Sequence, residues 1–83
     1  MPARLSASMG AMREIQPIIH HGALVAVVIA DQAIIPDAVP ASDLPAVKAK
    51  CLYALEIAAG ERPGPYTDAG AAAYAQAVAA MRN

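Results

Sequence analysis

The chain has 83 residues, of which 58% are apolar and 16% charged, and its formal net charge is −1. A chain of this length builds one hydrophobic core, which excludes a second domain. Its apolar content exceeds the roughly 45–50% of typical globular proteins, which argues against an unfolded chain. The six Lys and Arg residues are scattered, so binding to nucleic-acid phosphates is not expected.

The predicted core is thin, because the chain has no Trp or Phe and much of its apolar content is alanine. A small core without disulfides is often completed by another protein surface. We therefore expect a protein partner or a second copy of the chain, as in a homodimer. One cysteine, Cys51, fits a reducing compartment and a cytoplasmic location. The longest apolar run, Ala23 to Ala30, is far shorter than the roughly 20 residues that cross a membrane.

The first part of the chain divides into a tail and two strands. Residues 1–11 are small and polar and are predicted to form an N-terminal arm, flexible in character, before a single domain at 12–83. From Arg13 to Ile19 apolar side chains recur with a period of two, and Pro17 suits an edge strand. The β-branched run from Ala23 to Ala30 predicts a strand that is covered on both faces.

A short third strand is predicted after a tight turn. Asp31-Gln32 occupies the place of a two-residue hairpin turn, and Ala33-Ile34-Ile35 follows. Pro36 cannot continue a strand ladder and closes this segment. The pattern favours a short antiparallel β-meander of two to three strands.

Two helices are predicted in the second half. Ser42 or Asp43 supplies an N-cap and Gly60 a C-terminal signal for a helix over 43–59. Thr67 or Asp68 caps a second helix that runs to about residue 81. The expected fold class is α+β, with both helices packed on one face of the sheet. The core-facing stripes at helical spacing are Leu44, Val47, Cys51, Leu55 and Ala58 in the first helix, and Ala71, Tyr74, Val78 and Met81 in the second.

Candidate partner-binding residues lie off these stripes. Tyr53 and Ile57 are one turn apart, beside Lys50 on the other side of the first helix, so they need a further surface to cover them. The stiff loop from Arg62 to Tyr66 presents two residue types that are common in binding hot spots. The alternative for this loop is a plain connector, with Tyr66 placed against the core. The candidates are Tyr53, Ile57, Arg62, Tyr66 and Arg13.

His20 and His21 are the only clustered polar chemistry in the sequence and are weak metal-site candidates. Neighbouring strand residues point to opposite faces, so both rings reach one ion only if the backbone turns, as Gly22 would allow. Asp31 or Asp37 would have to be recruited as a further ligand. A solvated turn is the favoured interpretation, and no metal or cofactor is expected. Cys51, on the apolar stripe, is interpreted as a buried hydrophobic residue.

No standard catalytic motif and no catalytic residue is found. The sequence thus favours a small non-catalytic protein–protein interaction module, which associates with itself or binds and inhibits a larger protein complex. An alternative is a nucleic-acid-binding regulator or antitoxin-like protein, which would need a basic face built from Arg4, Arg13, Lys48 and Lys50. A second alternative is a small metal or enzyme site that depends on His20 and His21.

Overall fold

The computed structural model describes residues 15–82 and confirms the predicted α+β class. Strands β1 (Ile15–His20), β2 (Ala23–Ile29) and β3 (Gln32–Ile34) form an antiparallel sheet in the order β1-β2-β3. Helices α1 (Leu44–Ala58) and α2 (Asp68–Arg82) follow. The predicted arm at residues 1–11 and the candidate Arg13 lie outside the described residues.

Both hairpins are closed by two-residue turns. His20 pairs with Ala23, so His21 and Gly22 form the first turn, with φ of 53° and 76°. Positive φ at both central residues is the geometry of a type I′ turn, which suits the twist of a hairpin. Ile29 pairs with Gln32, which places the second turn one residue earlier than Asp31-Gln32. Asp31 lies in the turn, as predicted, but the residue with positive φ is Ala30, and no Gly or Asn signals that position in the sequence.

A β-bulge interrupts the pairing of β1 with β2. Ile18 pairs with Ala26 and Ile19 pairs with Leu24, so Val25 is the extra residue on β2. A bulge disturbs the ladder locally, and the Ile19 carbonyl accepts a hydrogen bond from Lys50 Nζ at 2.6 Å. The bulge therefore provides an anchor between the sheet and α1.

The two ends of α1 differ in the hydrogen bonds that cap them. Gly60, with φ of 79°, allows a Schellman motif: its amide donates to Ile57, and the Glu61 amide donates to the Glu56 carbonyl. Asp43 occupies the N-cap position, but its side chain makes no capping hydrogen bond. Asp43 is thus the N-cap residue, as predicted, but its carboxylate faces His20 and does not cap the helix.

The core lies between α1 and one face of the sheet. Val47, Cys51 and Ala54 of α1 meet Ile18 and Val28. Ala58, which was predicted on the core stripe, is exposed, because the buried stripe passes through Ala54 instead. Among the described residues, the large side chains that are fully buried are Ile18, Val28 and Val47, which agrees with the expected thin core.

Helix α2 packs mainly on α1, on the same side of the sheet. The Gly70 amide donates to Thr67 Oγ1 at 3.0 Å, so Thr67 is the N-cap, as predicted. Ala71 and Ala75 are the buried positions of α2, and small side chains allow the two helices to approach closely. Met81 is 85% exposed, contrary to its predicted place on the core stripe. Val78 lines a hollow together with Leu44 and Pro45 in the first turn of α1, and Met81 lies one turn beyond Val78.

Neither described helix is both long enough and apolar enough to span a lipid bilayer.

Candidate functional site

The face of the sheet that points away from the helices is almost entirely apolar. Directly paired residues of an antiparallel sheet lie on the same face, and the faces alternate along each strand. Gln16, Ile18, Ala26 and Val28 pack towards α1, so the alternate residues form the opposite face, here called the outer sheet face. Its rows across the sheet are Ile15–Ile29–Gln32, Pro17–Val27–Ile34 and Ile19–Leu24.

The outer sheet face is open to solvent in the part of the chain that the structure describes. Leu24 is 63% exposed, Ile15 and Ile34 are each 48% exposed, and Ile29 is 38% exposed. Helices α1 and α2 both lie on the other side of the sheet. None of the residues in the three rows is charged. Contiguous exposed apolar surface is often a site where another molecule binds.

Strand β1 carries apolar side chains on both faces of the sheet, since Ile18 is buried in the core and Ile15 is exposed on the opposite face. Gln16 lies under α1 and donates from Nε2 to the Ala54 carbonyl at 3.2 Å, while the neighbouring Ile15 points outwards. A strand that served only the internal core would have polar side chains on its outward face. The distribution of apolar residues on β1 therefore suits a sheet that is covered on both faces.

The edges of this sheet are poorly suited to strand addition. β1 is an edge strand, and Pro17 removes a backbone donor from its centre. β3 forms the other edge and spans three residues. A proline and a short edge strand are both ways in which natural sheets avoid edge pairing, so the outer sheet face is the better contact surface.

Tyr53, Arg62 and Tyr66 lie together in the structure. With Tyr74 and Glu56 they form what we call the tyrosine cluster. The Tyr53 ring centroid is 5.9 Å from that of Tyr66 and 5.4 Å from that of Tyr74. The Arg62 guanidinium lies 4.7 Å from the Tyr74 centroid, and its Nε donates to Glu56 Oε1 at 3.0 Å. The cluster joins α1, the interhelix loop and α2.

The tyrosine cluster occupies surface that the sequence assigned to a partner. Tyr53 and Ile57 are each half-buried rather than open. The Tyr66 ring packs against the core, which is the connector interpretation of its loop. Partner binding by these residues stays a prediction.

The polar ends of the tyrosines lie in different environments. Tyr74 donates its hydroxyl to Glu56 Oε2 at 3.1 Å, and desolvation together with this hydrogen bond raises its pKa. The Tyr66 hydroxyl is buried and has no hydrogen-bond partner among the described residues. Desolvation is the main cause that raises the pKa of Tyr66 to about 12.

Cys51 is 2% exposed and lies in the core, and burial raises the pKa of its thiol. The interpretation of Cys51 as a buried hydrophobic residue agrees with this placement.

Lys50 is not available for a basic surface. It is 6% exposed, and its ammonium group donates to the Ile19 carbonyl. The sequence predicted Lys50 beside Tyr53 and Ile57 on the solvent-facing side of α1. That prediction is wrong because Lys50 donates to the Ile19 carbonyl at the β-bulge, and the bulge has no local sequence signal. Arg4 and Arg13 lie outside the described residues, and Lys48 is exposed.

His20 and His21 are brought to one point by the turn that follows β1. Their ring centroids are 4.1 Å apart. Asp43 at the start of α1 completes the group, with its Oδ1 atom 3.7 Å from His20 Nε2. The carboxylate that joins the histidines is thus Asp43, and neither Asp31 nor Asp37, because the fold places the start of α1 against the β1–β2 turn. We refer to these three residues as the histidine cluster.

No protein-family model, curated protein or solved structure matches this chain. The function is therefore argued from the geometry of the described surface.

Proposed function

We propose that this protein is a small, non-catalytic protein–protein interaction module that pairs with a second copy of itself through the outer sheet face. The observation that supports the proposal is that neither helix covers the outer sheet face, whose rows hold Ile, Val, Leu and Pro side chains and one polar residue, Gln32. Burial of apolar surface is the main driving force of association. We further propose a cytoplasmic location, which suits the unpaired thiol of Cys51.

A second copy suits this surface because the face lacks charge. Two copies related by a two-fold axis present the same patch to each other, so any charged residue near the axis would meet a like charge. The rows of the outer sheet face contain no such residue. Two apolar sheets stack with about 10 Å between them, and the resulting sandwich would complete the thin core.

The size of the face predicts a weak dimer. Three strands about 4.8 Å apart, each about 20 Å long or shorter, provide roughly 300 Å² in projection. A standard interface buries about 800 Å² on each partner. The proposed pair is therefore expected to dissociate on dilution.

The direct test is light scattering after size exclusion over a concentration series, with Ile29→Lys as the variant. Ile29 lies on the central strand of the outer sheet face and is 38% exposed, so a lysine there is solvated in the monomer but meets its own copy in the dimer. We expect the wild-type mass to double at high concentration and the variant to stay monomeric.

Leu52→Lys is the matched control, because Leu52 is 44% exposed but lies on α1, away from the outer sheet face. It should dimerise as the wild type does. A wild-type chain that is monomeric at every concentration contradicts the proposal. An Ile29→Lys chain with wild-type dimerisation and native circular dichroism contradicts the choice of surface.

The nucleic-acid alternative loses a contributor to its basic face, because Lys50 is buried in the fold. The helices also lack the short link of a helix-turn-helix, since residues 59–67 separate α1 from α2.

A further inference from the structure

We propose that the histidine cluster is a binding site for one divalent transition-metal ion of the zinc type, with His20, His21 and Asp43 as its protein ligands. One ligand atom from each of the three residues lies within 4.8 Å of the other two. It is the one group of this kind among residues 15–82. Two imidazoles and a carboxylate are a ligand set that Zn²⁺ accepts, with a fourth position left for water.

The backbone at His21 supports this site. His21 has φ of 53°, a region where Asn, Asp and Gly are the favoured residues of a type I′ turn. A histidine there is a poorer local choice than asparagine, yet it is the residue that places a second imidazole beside His20.

The Asp43 side chain also does not make the capping hydrogen bond that its position predicts. It stands at the N-cap of α1 but does not cap the helix, and its carboxylate faces His20. The His20 side chain is 13% exposed, and its Nδ1 atom has no hydrogen-bond partner among the described residues. The Asp43 carboxylate and His20 Nε2 thus face each other from different parts of the fold, while Nδ1, the other ring nitrogen of His20, is left without a partner among the described residues.

The geometry requires only a small adjustment to hold an ion. Ligand atoms around tetrahedral zinc lie about 3.3 Å apart for bonds of roughly 2.0 Å, those of the cluster lie within 4.8 Å of one another, and the His21 side chain is exposed. Lys50 lines the same hollow, but its ammonium is directed to the Ile19 carbonyl. The Asp43 carboxylate supplies the negative charge that a cation needs. A bound ion would link the β1–β2 turn to the start of α1.

The test is calorimetric titration of chelator-treated full-length protein with ZnCl₂, together with absorption spectra on addition of CoCl₂. We expect saturation at one ion per chain, and the intense visible bands of tetrahedral Co²⁺. Mg²⁺ and Ca²⁺ should not compete, because they prefer oxygen ligands. Zinc should also raise the unfolding temperature, since it binds only the folded arrangement.

The decisive variant is His21→Asn. It removes one ligand and creates an Asn-Gly pair, the preferred sequence for this turn, so the fold should be kept or stabilised. Zinc affinity should fall at least about 100-fold, because loss of an outer-shell partner alone costs about 10–100-fold. Asp43→Asn should also weaken binding, whereas Asp37→Asn, at an exposed carboxylate outside the cluster, should not.

Binding of equal strength in the wild type and in His21→Asn would overturn the site, as would the absence of saturable binding in the wild type. Either result is independent of dimerisation, which uses the other face of the sheet.

Discussion

The ring and the hydroxyl group of Tyr66 lie in environments that have opposite effects on stability. Its ring packs on the core, while its hydroxyl is buried without a hydrogen-bond partner among the described residues. A buried unpaired hydroxyl is unfavourable by about 1 kcal/mol or more. The folded chain also holds the phenol proton more tightly than the unfolded chain does, because burial raises the pKa of Tyr66 from 10.0 to about 12.

The first prediction concerns Tyr66→Phe. We expect the free energy of unfolding at neutral pH to stay the same or to rise by about 1 kcal/mol, because the ring is kept and the unpaired hydroxyl is lost. The raised pKa of Tyr66 contributes stability that is fully present below about pH 10 and is lost as the pH rises towards about 12. The variant should therefore lose stability less steeply over this interval, as measured by urea unfolding.

Tyr74→Phe is the matched control for this experiment. The Tyr74 hydroxyl donates to Glu56, so its removal should lower the free energy of unfolding by about 1 kcal/mol. Identical pH profiles of stability for the wild type and Tyr66→Phe would contradict the assignment of the alkaline loss to Tyr66.

The joint between α1 and α2 depends on a glycine that makes room for Tyr53. A Cβ atom on Gly70 would lie 2.5 Å from the Tyr53 hydroxyl oxygen and 3.2 Å from its Cζ atom. The Tyr53 ring is held between Tyr66 and Tyr74, so it cannot move aside without disturbing both neighbours. The close approach of the two helices thus requires the absence of a side chain at this position.

The second prediction concerns Gly70→Ala. Helix propensity alone would make this change stabilising by up to about 1 kcal/mol, but we expect destabilisation of about 1–2 kcal/mol because the new methyl group overlaps Tyr53. In a double-mutant cycle, Tyr53→Phe should relieve part of the loss, since it removes the closest atom. Denaturant unfolding measures all three variants.

Ala69→Gly, at the exposed neighbouring position, reports the effect of helix propensity without the overlap. A stabilised Gly70→Ala protein would show that the ring of Tyr53 moves freely and that the joint is not closely packed.

The sequence predicted the elements of this fold better than it predicted their contacts. Pro45, Gly60 and Thr67 are local signals, and the helices begin and end close to where these signals place them. The buried positions of Gln16 and Lys50 have no such signal, because a period of two does not say which face of a strand is covered. The register and the bulge decide that, and they are set by tertiary packing.

For the candidate sites, too, local sequence signals predict some features and tertiary packing decides the others. The sequence predicts a turn at His20-His21-Gly22, but it does not predict that Asp43 is the third member of the histidine cluster. Asp43 is 22 positions beyond His21 in the numbering, and only the packing of α1 on the sheet places it there. The outer sheet face likewise emerges only when the strand register is known.

For the molecule as a whole, the proposed pairing links stability to concentration. A partner that binds only the folded chain raises its stability by mass action. We predict that a hundredfold increase in protein concentration raises the wild-type unfolding temperature by about 5 °C, whereas Ile29→Lys shows no such dependence. Differential scanning fluorimetry with an extrinsic dye, or calorimetry at the higher concentrations, measures this shift. An equal shift in both proteins would show that association uses another surface.

The two edge strands of the sheet limit the number of chains that can assemble. Under the proposed pairing, each chain uses its one apolar face on its partner, and Pro17 and the brevity of β3 hinder further growth at the margins. Fibril formation requires the opposite features, long unprotected strands that recruit further chains without limit. A concentrated solution of this β-branched, apolar-rich sequence should therefore saturate at pairs and stay clear, although its composition taken alone suggests a chain prone to precipitate.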